Sequence, residues 1–271
     1  MQSAKKLVVI TGGAGRIGTA VRPLLRSTYR LRLVDVKPPP EAVADDEEFV
    51  LADVSDLGAA ERVMDGASAV VHLAANASTA GTWADVRCTN IEATYNVFEA
   101  ARRQGAGRVV FATTNHVMGF YNIEGSWPIP TDAAIRPDSL YGVSKAFGEA
   151  LARYYSDAFG MSMQCIRIGW FTTQTPAIRN LLGLWISARD LAQLISLCLE
   201  TPRQFGIYNG ESNNRQQNHW DLQTARDELG YTPQDDVADI VDAATLKDQK
   251  YVEPQAGVLR SIPAAGERRT D

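Results

Sequence analysis

Short apolar runs alternate with amphipathic stretches through the first two thirds of the chain, a pattern that predicts parallel strands joined by crossover helices. Leu7–Thr11 (LVVIT) predicts the first strand, and Ile17–Leu25 the helix that follows it. Leu31–Val34 predicts a second strand, ended by Asp35 and the Pro38-Pro39-Pro40 break, and Phe49–Ala52 a short third one ending at Asp53. Ala69–Leu73 and Arg108–Ala112 predict the fourth and fifth. Between them a helix runs from about Thr89 to Arg103, stopped by Gly105. Another helix carries Tyr141. It starts after Pro137 with Ser139 as N-cap and stops near Gly160, ahead of a sixth strand over Met163–Ile168.

Beyond Gly169 the rhythm loosens. A helix over Ala188–Leu199, a short strand at Gly206–Asn209 and a helix over Leu222–Leu229 are expected, the last ended by Gly230-Tyr231-Thr232-Pro233. The fold class expected is α/β, with a doubly wound parallel sheet over residues 1–169. A small C-terminal lobe over 170–253, partly interleaved with the sheet, and a tail over 254–271 complete the division.

Composition narrows the function classes. The 271 residues are 45% hydrophobic and 22% charged, ordinary for a globular protein, with a net charge of −5 and no basic run. Nucleic acid is therefore not an expected partner. No apolar stretch is long enough to span a membrane, and the run after Lys5-Lys6 is broken by Gly12, Gly13 and Gly15, too early for a signal peptide. Three scattered cysteines (Cys88, Cys165, Cys198) and three histidines show no metal-ligand spacing. The expectation is a cytoplasmic protein with buried, reduced thiols and no metal.

Two motifs carry chemistry. Thr11-Gly12-Gly13-Ala14-Gly15-Arg16-Ile17-Gly18 is a glycine-rich turn between the first strand and its helix. Gly12, Gly15 and Gly18 serve a tight turn, close backbone approach to a phosphate and close helix–strand packing, and Arg16 and Ile17 are expected with them at the cofactor. Asp35 stands 17 residues after Gly18, at the end of the next strand. A carboxylate there accepts both ribose hydroxyls of adenosine and repels a 2′-phosphate, favouring NAD, with Lys37 and Arg16 nearby pulling the other way. Asp53 and the backbone at Val54 either meet the adenine or only turn the chain.

The second motif is Tyr141-Gly142-Val143-Ser144-Lys145, which puts a phenol and an ammonium one helical turn apart. A free tyrosine, with a pKa near ~10, is a poor base, and each unit of depression needs about 1.4 kcal/mol of favourable interaction with the phenolate. Lys145 is expected to supply it, letting Tyr141 take a proton from a substrate hydroxyl as hydride leaves. Gly142 and Gly148 each cost about 1 kcal/mol inside a helix, so close approach of another backbone or a ligand is expected there.

Together TGGAGRIG, the HLAA at His72–Ala75, Asn90, the Thr113-Thr114 pair, YGVSK and Leu229-Gly230-Tyr231-Thr232-Pro233 resemble an extended short-chain dehydrogenase/reductase of the NAD-dependent epimerase/dehydratase family, built on a Rossmann-type sheet. The resemblance covers most of the chain. It implies that Tyr141 is the general acid/base and that Lys145 lowers its pKa and binds the nicotinamide ribose. It also implies that Thr114 orients the reacting oxygen and that His72, Leu73, Ala74 and Ala75 lie along the cofactor. Asn90 either joins the cofactor site or ties helix to strand. The helices over Thr89–Arg103 and Leu140–Phe159 imply a homo-oligomer.

Asn115-His116, with Leu184-Trp185-Ile186-Ser187 further on, is similar to the uronate dehydrogenases and related NAD-dependent aldose 1-dehydrogenases. Asn115 and His116 are then expected on sugar hydroxyls, and Arg179 on a substrate carboxylate. Arg179 stands six residues before Trp185, where that group places its arginine five before. Trp170 replaces a small polar residue and either stacks on a sugar face or fills core. Only about 100 residues follow Gly169, which suits a free monosaccharide. The expected activity is oxidation of C1 of a cyclic sugar, a hexuronic acid above all, to its lactone. A neutral aldose 1-dehydrogenase, a nucleotide-sugar 4-epimerase or dehydratase with bound NAD, and a non-catalytic NAD-sensing scaffold are the alternatives.

Overall fold

The computed structural model describes residues 5–174, 179–215 and 218–241. Its centre is a seven-stranded parallel sheet: β1 (Leu7–Thr11), β2 (Arg30–Asp35), β3 (Glu47–Leu51), β4 (Ala69–His72), β5 (Arg108–Thr114), β6 (Ser162–Ile168) and β9 (Phe205–Gly210). The spatial order is β3-β2-β1-β4-β5-β6-β9, so the strand order reverses between β1 and β4. In open parallel sheets a crevice opens at such a reversal, outside the carboxyl ends of the strands. Thr11, at the carboxyl end of β1, pairs with His72 on one side and Val34 on the other.

Helices cover both faces. On one lie α1 (Arg16–Leu25) and α7 (Ala188–Glu200), packed on Val8, Ile10, Leu33 and Ile166. On the other lie α2 (Leu57–Met64), α4 (Ala93–Arg103) and α6 (Leu140–Phe159), packed on Val9, Val70, Val109 and Phe111. Successive residues of one strand thus feed opposite cores, as a doubly covered parallel strand requires. Each large side chain taken fully out of water contributes about 1.5–3 kcal/mol. Phe98 and Phe111 add an edge-to-face contact at 5.5 Å.

The expected boundaries of α6 are met: the Ser139 side chain accepts from the Gly142 amide, and Gly160 ends the helix in the left-handed region at φ +69°. Ahead of α4 the chain differs from the single helix expected. After the short α3 (Trp83–Val86), residues Arg87–Glu92 form one wide π turn before α4 begins. Another short helix, α5 (Gly119–Glu124), follows a 3-10 turn over Asn115–Met118.

After β6 the chain leaves the sheet through β7 (Trp170–Phe171), a 3-10 turn over Arg179–Leu184 and β8 (Trp185–Ile186), which pairs with β7. It then returns through α7 and β9, so the interleaving of residues after Gly169 with the sheet is extensive. The short α8 (Gln223–Leu229) packs beside β9. No helix of the described residues is long and apolar enough to cross a membrane.

Candidate active site

The glycine turn fits an anion by its backbone. Gly12 has φ +70°, and a Cβ there would lie 2.7 Å from the Ala74 amide nitrogen, so only glycine lets the loop after β4 approach. A Cβ on Gly18 would lie 2.6 Å from the Gly13 carbonyl oxygen, which explains how closely α1 packs on the turn. Gly15 is the N-cap of α1 and offers no side chain to the first-turn amides. Those uncapped amides, at the positive end of a ten-residue helix, suit a pyrophosphate.

Asp35 stands beside the turn, where one carboxylate oxygen accepts from the Ala14 amide at 3.1 Å. The Asp53 carboxylate accepts from the Ser55 amide at 2.9 Å and turns the chain, and the Val54 side chain is buried in the core. The loop after β4 brings Leu73 and Ala75 into the cleft described below.

His72 differs from the expectation that it lies along the cofactor. Strand alternation turns its ring into the core, where Nδ1 meets Thr11 Oγ1 at 2.6 Å and Nε2 meets Thr94 Oγ1 at 3.3 Å. Burial holds its pKa well below the ordinary imidazole value. Asn90 is likewise drawn inward. Its Oδ1 accepts from the Asn76 amide, and its Nδ2 donates to the Asn76 carbonyl and to Ser144 Oγ at 2.9 Å. Both amide protons are used, so Asn90 ties the loop after β4 to α6 and has no donor left for a cofactor.

The carboxyl end of β5 delivers three consecutive residues. Thr114 Oγ1 donates to Asn115 Oδ1 at 3.1 Å and accepts from the His116 amide at 3.3 Å. His116 Nδ1 lies 2.9 and 3.0 Å from the two oxygens of Asp138, a partner not anticipated from sequence. Thr113, one residue earlier, faces away and donates to Glu149. Glu149 also receives a two-point contact from Arg167 at 2.8 and 2.9 Å, and both side chains are almost fully buried. This pair fastens β5, β6 and α6 together under the site.

On α6, Tyr141 and Lys145 face the end of β5. Two close approaches set the helix there, as the glycines led us to expect. A Cβ on Gly142 would lie 2.4 Å from the His116 carbonyl oxygen, and one on Gly148 would lie 2.4 Å from the Phe111 ring. The electrostatics differ from the expectation. Burial pushes the Tyr141 hydroxyl up to about 12, while a hydrogen bond with Thr114 pulls the other way. Burial also pushes Lys145 down to about 7. Its Nζ donates to the Ala112 carbonyl at 2.8 Å and sits 4.6 Å above the Phe111 ring. At the phenol, desolvation outweighs the hydrogen bond with Thr114.

One cleft of about 200 Å³ gathers Arg16, Ile17, Leu73, Ala75, Thr114, Asn115, His116, Tyr141, Lys145 and Trp170. Arg16 reaches across it to the Phe171 carbonyl at 3.5 Å. Trp170 lines the cleft and is half-buried against Leu184 and Trp185 neighbours. The Arg179 side chain lies outside what is described. Gly12, Gly15, Gly18, Asp35, Asp53, Val54, Ala74 and Asn90 stand outside the cleft lining.

A sheet reversal at β1/β4, an uncapped helix after three glycines and a buried Tyr–Lys pair define a dinucleotide-dependent enzyme class. The chain belongs to the NAD dependent epimerase/dehydratase family, whose sequence profile matches residues 8–172. It is 35% identical over 249 residues to an NAD-dependent glucose-6-phosphate dehydrogenase of Haloferax volcanii, covering 86% of this chain and 94% of the relative. It is 37% identical over 230 residues to a uronate dehydrogenase of Pseudomonas putida, covering 84% of each. Its fold is similar to the crystal structure of uronate dehydrogenase from Agrobacterium tumefaciens, with a TM-score of 0.81, 33% identity and 92% of each chain covered.

Proposed function

We propose that the protein oxidises C1 of a cyclic monosaccharide to its lactone with NAD, a hexuronic acid being the favoured substrate. The observation that carries this reading is the meeting of Thr114, Asn115, His116, Tyr141 and Lys145 in one cleft with Arg16 and Ile17, the first residues of the helix after the glycine turn. When bound, NAD supplies a nicotinamide ring that accepts hydride. Gly12, Gly15, Arg16, Ile17 and Gly18 would hold its pyrophosphate, Asp35 its adenosine ribose, and Asp53 and Val54 the adenine end. Leu73, Ala74, Ala75 and Lys145 would line its nicotinamide half.

Thr114 would orient the anomeric oxygen, and Tyr141 would take its proton as the C1 hydrogen departs with its electron pair. Turned from Asn115 Oδ1 toward the phenol oxygen, the Thr114 hydroxyl would favour the phenolate, and a charged Lys145 would add to it. Asn115 and His116 would bind ring hydroxyls, and Arg179 a C6 carboxylate. A neutral aldose is the second reading, to be preferred if Arg179 does not meet a carboxylate; Trp170, whose indole lines the cleft, would stack on a sugar face in either case.

The same proposal places the enzyme in the cytoplasm, where a reducing environment keeps its unpaired cysteines as thiols. It also makes it a homo-oligomer. Val143, Phe147 and Tyr154 form an exposed apolar stripe on α6, 43%, 37% and 56% accessible. The mass in solution tests the second point: a single-chain mass would contradict it. Steady-state NADH formation with glucuronate, galacturonate, glucose and arabinose tests the activity. Oxidation of the uronates above the neutral sugars is expected, and no NADH with any of the four would sink the proposal.

A further inference from the structure

We propose that Asp138 is a positioning residue for sugar recognition, holding His116 in the Nδ1–H tautomer so that Nε2 accepts a hydrogen bond from a sugar hydroxyl. This rests on the sugar-oxidising reading above and adds to it the residue and tautomer that set the polarity of the contact.

The geometry comes from both sides of the ring. Nδ1 faces the two carboxylate oxygens of Asp138 at 2.9 and 3.0 Å. An ionised carboxylate only accepts, so Nδ1 carries a proton whether the ring is neutral or charged. On the far edge, Nε2 has no protein partner among the described residues, and His116 lines the cleft. The ring stands edge-on to Tyr141, with centroids 5.8 Å apart. A hydroxyl bound at Nε2 therefore sits next to the proposed base.

Asp138 is itself held. Ser139 Oγ donates to one of its oxygens at 2.9 Å, and its amide nitrogen lies 3.3 Å from the His116 carbonyl oxygen, which accepts from it. Gly119 makes room for the carboxylate: a Cβ there would lie 2.0 Å from Asp138 Oδ2. A carboxylate just ahead of α6 also favours the helix dipole, and that is the plain structural alternative. An acceptor at Nε2 binds a hydroxyl hydrogen, whereas the other tautomer presents a donor and leaves the sugar's own donor unpaired. Sites built around such a bond discriminate strongly.

The test joins nitrogen NMR to a double-variant cycle. The chain has three histidines, so the His116 ring signals are assigned by their disappearance in His116→Asn. In the uniformly 15N-labelled protein, a protonated Nδ1 and a bare Nε2 are expected at His116. Asp138→Ala should convert it to the Nε2–H form common for unconstrained imidazole. In kinetics, Asp138→Ala should raise the sugar KM by roughly 10- to 100-fold while moving kcat and NAD affinity little. The Asp138→Ala, His116→Ala double variant should be no worse than His116→Ala alone. Should Asp138→Ala fail to fold, Asp138→Asn, whose amide can turn its NH₂ group toward Nδ1, is expected to give the same loss.

An unchanged His116 nitrogen spectrum in the Asp138 variant overturns the proposal, and so do losses that add in the double variant. If the wild-type protein oxidises no sugar, the activity reading falls, and the nitrogen spectrum still decides the tautomer.

Discussion

Gly142 lies so close to His116 that a Cβ on it would be 2.4 Å from the His116 carbonyl oxygen. Alanine is worth about 1 kcal/mol more than glycine in an isolated helix, so helix propensity alone predicts that Gly142→Ala stabilises. The contact is with backbone, which cannot swing aside, and overpacking of this kind costs about 1–3 kcal/mol. Gly142→Ala is expected to lower stability on balance and to reduce sugar kcat/KM more than NAD affinity. Urea denaturation with parallel kinetics checks both.

Glu149 and Arg167 are each nearly inaccessible to water and joined at two points. Removing one partner of a buried pair leaves an uncompensated charge, a loss of about 3–5 kcal/mol. Glu149→Ala is expected to destabilise by that amount in equilibrium unfolding. Because Thr113 and Thr131 also bond this pair, the end of β5 should loosen with it. Increased hydrogen exchange at Thr113 and Thr114 would register the change.

Glu211 follows β9 and is wholly buried, with neither carboxyl oxygen hydrogen-bonded in good geometry. Burial raises its pKa well above the ordinary 4.5, so the folded chain keeps a proton that the unfolded chain releases. The stability it contributes is complete below 4.5 and is lost as pH rises above that value toward the folded pKa. Glu211→Gln cannot ionise. Its melting temperature should exceed that of the wild type at neutral pH, and the gap should narrow as pH falls to 4.5.

Tyr141 is raised to about 12 by its surroundings, so only a small fraction is ionised at neutral pH. Turnover is expected to climb with pH on the acid side of that value. Tyr141→Phe should lose about 10²–10⁴-fold in kcat and keep NAD affinity, since general acid/base groups contribute on that scale. Steady-state rates across pH with calorimetric NAD binding separate the two effects.

Elements whose sequence carries its own punctuation were legible. The strand–glycine–helix unit at Leu7–Leu25 and the Ser139-to-Gly160 helix are read from caps, glycines and periodicity, which act over a few residues. The short α3 and α5 and the π turn at Arg87–Glu92 were not, because tertiary packing sets them, and the strand expected at Gly206–Asn209 carried no sign that it would lie beside β6. Within the site, the motifs singled out Thr114, His116 and Tyr141, which the fold brings into one cleft. The alternation of β4 sent His72 into the core, and Asn90 uses both amide protons on Asn76 and Ser144. Burial, which no motif records, moved the Tyr141 and Lys145 pKa values. Asp138 is 22 residues from the histidine it holds, and the only local hint was its place ahead of the Ser139 cap.

The proposed chemistry is tested most directly by following the C1 hydrogen itself. With the preferred sugar deuterated at C1 and NAD in excess, mass spectrometry of the reduced cofactor should find one deuterium per turnover and a lactone as the sugar product. Unlabelled NADH, or a sugar returned as its epimer with no net NADH, would contradict the account.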